Sequence, residues 1–321
     1  MSSVRDSLDL GGARVSVKYH NGRFGLKLSL ISGIVLIVLL VLVGFELRST
    51  HNLEGLVGRI AAKEEILSRM RINLLKSVEI EKGAVMADTD ELSRKLAEES
   101  LEKADAVEQD RQELNRLVEA DHTDREQNLL REFNRCWSEL QKIDRILLTF
   151  AVENTNIKAS TLSFTEGGKN MERFERSLIE LIRNTPNSDH GNDILKSCCD
   201  ALSAGFKALY LHAPHIAASN DAQMDEIEKG IHASDMVVKE SLAKLDGIVS
   251  GDGKKLVEEA AAAYADFEKV TAEVIKLSRQ NTNIKSFELS LGRKRKVTTQ
   301  CDEMLAALQE AVHSRNFEAT R

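Results

Sequence analysis

The chain has 321 residues, of which 30 % are charged, 42 % hydrophobic, 4 % aromatic and only 2 are proline, with a formal net charge of -7. Such a composition, rich in helix formers and nearly free of helix breakers, predicts an all-α fold and leaves little for a sheet to use. The negative balance argues against a nucleic-acid partner, which ordinarily needs a basic face to release counterions.

In chain order, the first element is the apolar run "LSLISGIVLIVLLVLVGF", Leu28 to Phe45, 18 residues without a charge. At about 1.5 Å per residue a helix of that length crosses a bilayer core. A cleaved signal peptide would have a shorter apolar region and a small-x-small site; here "ELRSTHNLEGL" follows, with no convincing site. Arg5, Arg14, Lys18, Arg23 and Lys27 precede the run, whereas Arg48 and Arg59 alone follow it closely. Positive charge stays in the cytoplasm, so residues 1–27 are expected as a cytoplasmic tail, 28–46 as a transmembrane helix, and the bulk of the chain outside. The four cysteines then face an oxidising space. Cys198 and Cys199 are adjacent and poorly placed to pair with each other, while Cys136 and Cys301 sit on apolar stripes as small hydrophobes.

Beyond Glu46 the pattern is helix after helix, eight in all. The first is expected to run to about Met86 and to stop at "MADTDEL", where Asp88 or Thr89 can cap the second. Leu92, Leu96, Leu101, Ala104, Val107, Leu114 and Leu117 form one stripe; Phe133, Trp137, Leu140, Ile143, Leu147 and Phe150 form the next. Stripes at intervals of three and four are the seams of helical bundles. "RNTPNSDHGND" cannot continue a helix and reads as the only real linker. Further helices follow, one bent at Pro214, with turns at "ASNDAQ" and "SGDGK".

The pentapeptide Asn-Thr-Asn-Ile-Lys occurs twice, at 154–158 and 281–285. Residues at equal distance from it match in kind: Trp137 with Tyr264, Leu140 with Phe267, Ile143 with Val270, Leu147 with Val274, Leu178 with Leu305 and Leu181 with Leu308. The reading is a duplication: a four-helix bundle over 47–184, a linker over 185–192, a second four-helix bundle over 193–315 and a tail over 316–321. The period is far above solenoid values. The pentapeptide itself is expected to connect helix to helix, with Asn and Thr satisfying backbone groups at the helix ends.

"RFGLKLSLISGIVLIVLLVLVGFELRSTHNLEGLVGRI" resembles the start of a bacterial methyl-accepting chemotaxis receptor. "RINLLKSVEIEKGAVMADTDELSRKLAEESLEKADAVEQDRQEL" resembles the first hairpin of the four-helix-bundle sensor domain of such receptors, and two consecutive bundles resemble its bimodular forms. The resemblance implies a sensory module in the bacterial inner membrane, single-pass, with the bulk in the periplasm. It implies a small-molecule or protein ligand bound between helices, a homodimer through the first long helix, and signalling by a helix shift. A second membrane helix, a HAMP domain and a methylated hairpin, which such receptors need, do not follow in "AVHSRNFEATR". The alternative is a membrane-anchored helical structural or adaptor protein with no small-molecule ligand.

Arg69, Arg71 and Asn73 are the candidate ligand-binding residues, because family members that bind amino acids place arginine on this helix for the ligand carboxylate. The planar guanidinium meets a carboxylate with two bonds. His212 and His215 in "LHAPH" could face one side of a helix as metal ligands do, but Pro214 disturbs the geometry and no metal is expected. "GRKRK", Gly292 to Lys296, reads as a solvated basic face, with an anionic ligand or lipid headgroups as the other reading. No paired acids, nucleophile with a base, or glycine-rich loop after a strand is present, so no catalytic residue, cofactor or enzyme activity is expected.

Overall fold

The computed structural model describes residues 23–184 and 190–319. Among them every regular element is helical: α1 (Arg23–Met86), α2 (Asp90–Asp121), α3 (Asp124–Glu153), α4 (Thr155–Leu162), α5 (Gly168–Asn184), α6 (Gly191–Ala217), α7 (Asp221–Ile248), α8 (Asp252–Gln280), α9 (Thr282–Leu289) and α10 (Arg295–Ala319). Five-residue π-helical turns, Ser163–Gly167 and Ser290–Lys294, join α4 to α5 and α9 to α10. The all-α expectation holds. Most of the expected tail 1–27, residues 185–189 of the expected linker and the last two residues lie outside the described residues.

The chain divides into two compact units, Met1–Arg59 with Ala319–Arg321, and Ile60–Glu318. In the first, the described residues Leu36, Ile37, Leu39 to Val43 and Phe45 on α1 all expose their side chains. Among the described residues no helix is long and apolar enough to cross a membrane. The expected transmembrane span 28–46 falls partly on residues whose side chains lie outside the described ones.

Within Ile60–Glu318 the stripes bury themselves as their spacing requires. Met171, Phe174 and Leu178 of α5, Ala201 and Ala208 of α6, Val238 and Leu245 of α7, and Tyr264 and Phe267 of α8 share one core. Ala84 and Val85 of α1, Ala97 of α2, and Leu147, Leu148 and Ala151 of α3 share another, with Leu289 of α9 packed against it. Each large apolar side chain removed from water in this way stabilises by roughly 1.5–3 kcal/mol. Gly205 lets α5 and α6 approach closely, since a Cβ there would stand 2.8 Å from Met171 Cε and 3.2 Å from Phe174 Cε1.

The helix ends follow the sequence. Thr89 caps α2, its Oγ1 accepting from the Leu92 amide at 3.2 Å, and Asn220 caps α7 through its side-chain oxygen on the Gln223 amide at 3.0 Å. α6 carries Pro214 inside and continues to Ala217.

The packing crosses the boundary expected from the duplication. α4 and α5 do not turn back onto α3; they pack on α8 and α6, while α3 packs on α2 and α9. α10 returns to α1, where the Arg71 guanidinium donates to Asp302 at 2.9 and 3.2 Å. The two cores are therefore not the contiguous stretches 47–184 and 193–315: each takes helices from both copies. The physical reason lies at the pentapeptide, which redirects a helix instead of reversing it.

Candidate functional site

At both pentapeptides the helix is interrupted by one residue in the left-handed conformation, Asn154 at φ 50° and Asn281 at φ 54°. Asparagine tolerates this conformation, and a new helix starts at once. The first amides of α4 and α9 have no partner within their own helix, and the other copy supplies it. The Thr155 amide donates to Thr282 Oγ1 at 3.1 Å and the Thr282 amide to Thr155 Oγ1 at 3.2 Å, with the two hydroxyls 3.1 Å apart. The Asn156 amide donates to Asn283 Oδ1 at 3.1 Å, and the Asn283 amide to Asn156 Oδ1 at 3.3 Å. Asn156 Nδ2 reaches Asn281 Oδ1 at 2.8 Å, and Asn283 Nδ2 reaches Asn154 Oδ1 at 2.9 Å. The pairing is reciprocal, and its Thr and Asn are buried or nearly so. Asn156 and Asn281 also tie α6 to the junction through the Ile216 and Ala218 carbonyls. The sequence reading found these residues as connectors; that each copy caps the other needed the packing. The signal was there in the identity of the five residues, since reciprocal caps require the same side chains twice.

About three helical turns along the chain from the junction, each core holds a polar layer. Lys294 of the second π turn is buried, with its Nζ 3.0 Å from Glu81 Oε2 and 2.6 Å from Asp144 Oδ1. The solvated reading of "GRKRK" holds for Arg293, Arg295 and Lys296, which are exposed, and is corrected at Lys294, which points inward; Arg293 pairs on the surface with Glu139 at 2.8 Å. Burial raises the Asp144 carboxyl, an effect that Lys294 offsets only in part. In the other core His212 is buried, with Nδ1 2.8 Å from Ser163 Oγ and Nε2 3.1 Å from Thr271 Oγ1, its ring stacked on Phe267. Burial, with a smaller contribution from His215, lowers the His212 imidazole to about 4. His215 bonds Ser278 and Glu228, each at 2.9 Å. The two histidines thus serve separate networks. Among the described residues no group of three or more His, Cys, Asp or Glu is placed to hold a metal ion.

A second buried charge network closes the other end of the α1–α3 core. Lys63 Nζ lies 2.6 Å from both Asp121 and Glu126, and Arg315 of α10 joins the same two carboxylates at 3.0 and 3.3 Å. α1, the α2–α3 turn and α10 meet there.

The structure does not bring the three candidate residues of α1 together on one site. Arg69 faces α2 and forks onto Asp110 at 2.7 and 3.2 Å, which raises its pKa. Arg71 faces α10, and its bonds to Asp302 raise it likewise. It lines an open groove of about 680 Å³ whose other walls carry Glu64, Glu65 and Glu310. Asn73 is half-buried. Both guanidiniums already hold a carboxylate of the chain, and the groove around Arg71 is acidic, a poor match to a free carboxylate. Neither protein-family models nor curated proteins give a match to the chain.

Proposed function

We propose that the chain is a membrane-anchored sensory module, chemoreceptor-like, whose helices form two four-helix bundles outside the cytoplasm that exchange a helix at the paired Asn-Thr-Asn-Ile-Lys junction. The reciprocal capping of α4 and α9 carries this reading. α3 leads through the junction into the far core, and α8 leads through it into the near one, so a displacement of either helix is passed on with its partner. Packed helices have few discrete arrangements, and a ligand favouring one of them shifts the population. α1 carries both the apolar run and the residues that bond α2 and α10, which gives such a shift a helix to act on. In this reading residues 28–46 span a bacterial inner membrane, the tail is cytoplasmic, the bulk is periplasmic, and a homodimer forms through α1, where Ile72 and Leu75 are half exposed.

Thermal-shift screening of the full chain in detergent micelles against amino acids, organic acids and amines tests the proposal. A saturable rise in melting temperature for one chemical class is expected. No rise with any class, together with recovery of a stable protein partner in pull-downs, would favour the adaptor reading instead.

A further inference from the structure

By their stripes alone Cys136 of α3 and Cys301 of α10 are small hydrophobes, but the packing sets them face to face. α3 runs toward the junction and α10 away from it, so the two helices are antiparallel. Asp144 of α3 meets Lys294, just before α10 begins, at 2.6 Å. From that contact, eight residues back along α3 and seven forward into α10 cover about 12 and about 10.5 Å and stay on the facing stripes. They end at Cys136 and Cys301. The other core keeps this register: 127 positions away stand Ala263 and Phe174, buried in one cluster, with the Phe174 ring 5.3 Å from that of Tyr264. The thiols themselves touch. Cys301 is fully buried and donates its S–H to the Cys136 sulfur. Cys136 is half-buried and donates to the Phe133 carbonyl at 3.1 Å. Both are free thiols in the structure.

We propose that Cys136 and Cys301 are a dithiol site, at which a disulfide oxidant ties α3 to α10 covalently. Cys136 acts first: it is the more exposed of the two, and the hydrogen bond from Cys301 lowers its thiol against the burial that raises it. Once ionised, it attacks one sulfur of the oxidant, forming a mixed disulfide and releasing the other sulfur as a thiolate that takes up a proton. Cys301 is held protonated by its bond to Cys136 and by burial. The mixed disulfide carries no negative charge to hold that proton, so Cys301 can ionise, attack Cys136 Sγ and expel the second thiolate. The two cysteines lose two electrons and two protons, and the oxidant gains both as two thiols. Asp302, next to Cys301, holds Arg71 of α1, so the tie restrains α3 against a helix that α1 already grips. The step needs no ligand and is independent of the sensing reading.

The test treats the full chain carrying Cys199→Ser, in detergent micelles, with oxidised glutathione. The protein is then denatured, blocked with N-ethylmaleimide and mapped by mass spectrometry of unreduced peptides. A peptide pair linked through Cys136 and Cys301 within one chain is expected. The melting temperature should stand roughly 5–10 °C above that of the protein reduced with dithiothreitol. Cys301→Ala should stop at a glutathione adduct on Cys136, and Cys136→Ser should leave Cys301 unmodified. The mapping needs no substitution in the core, so it decides the question even where Cys301→Ala fails to fold. Both thiols blocked after exhaustive oxidation, a link from either to Cys198, or a link between chains would overturn the proposal. A link that leaves the melting temperature unchanged would overturn the tie between the helices.

Discussion

The two cores are built from the same plan yet solve its polar layer in opposite ways. Lys294 stands 127 positions after Gly167, and Asp144 stands 127 before Thr271, the separation of the two threonines that bond across the junction. Glu81 lies eight residues before the capping Thr89, as His212 lies eight before the capping Asn220. One core therefore holds a carboxylate, a lysine and a carboxylate (Glu81, Lys294, Asp144) where the other holds an uncharged histidine, a glycine and a threonine (His212, Gly167, Thr271). Both π turns survive in register, at Ser163 and Ser290. Such turns are rare and commonly sit at functional positions. The frame is the same in both cores while its contents differ. A charged layer fixes register at a cost in desolvation, whereas a neutral one carries a titratable ring that changes with pH.

Removing the lysine breaks this comparison most severely. Lys294→Met leaves Glu81 and Asp144 buried without their cation, and losing one partner of a buried pair typically costs about 3–5 kcal/mol. Chemical denaturation should show a loss of that size. Adding Glu81→Gln and Asp144→Asn should restore most of it. If the triple variant is no more stable than Lys294→Met, the charges are not what the lysine answers.

Acid sharpens the comparison from the other side. The His212 imidazole is lowered from 6.5 to about 4 by burial, so between those values the unfolded chain holds a proton that the folded chain does not. Stability therefore rises with pH across this window and falls on acidification from about 6.5 to about 4. At 1.36 kcal/mol per pKa unit the total is about 3 kcal/mol. Denaturant melts at pH 7 and pH 4.5 should show most of this loss, and His212→Gln should remove that part of the slope. A slope that His212→Gln leaves unchanged would assign it to other groups.

The threonine pair tests whether the two copies are coupled at all. Thr155→Val and Thr282→Val each remove a hydroxyl that accepts the opposite amide, and each leaves a buried donor unsatisfied. A loss of about 1–3 kcal/mol is expected for either. The double variant should lose less than their sum, with an interaction of about 0.5–3 kcal/mol, as in other contacting pairs. Strict additivity would mean the junction does not act as one unit.

Periodicity carried the fold a long way. Trp137 and Tyr264, Leu147 and Val274, and Leu181 and Leu308 are all buried at the matched positions, because a seam of threes and fours has one way to leave water. The same argument does not say which seam meets which: every stripe is apolar, and nothing in Leu178 or Leu305 distinguishes a helix of its own copy from one of the other. Pairing was set instead by a polar device, the caps of Thr155 and Thr282, whose partners lie 127 residues away. The candidate site was less legible for a related reason. Arg69 and Arg71 read as open guanidiniums until Asp110 and Asp302 are seen opposite them, and Lys294 looks like one charge of a basic run until the π turn aims it inward.

The mildest test concerns that basic run. Arg293 and Lys294 are neighbours, but Arg293 is 67 % exposed and pairs with Glu139 across the surface, whereas Lys294 lies inside. An exposed pair is screened by water and salt and loses side-chain entropy to hold its geometry, so it contributes only about 0.2–1 kcal/mol. Arg293→Ala should therefore lower stability by less than about 1 kcal/mol, and by less still at high salt, where Lys294→Met keeps nearly its whole effect because ions do not reach a buried charge. Two adjacent lysine-or-arginine positions would then differ several-fold in cost. Equal costs, or an equal response to salt, would place both side chains in water and undo the distinction between the two cores at its origin, the inward turn of Lys294.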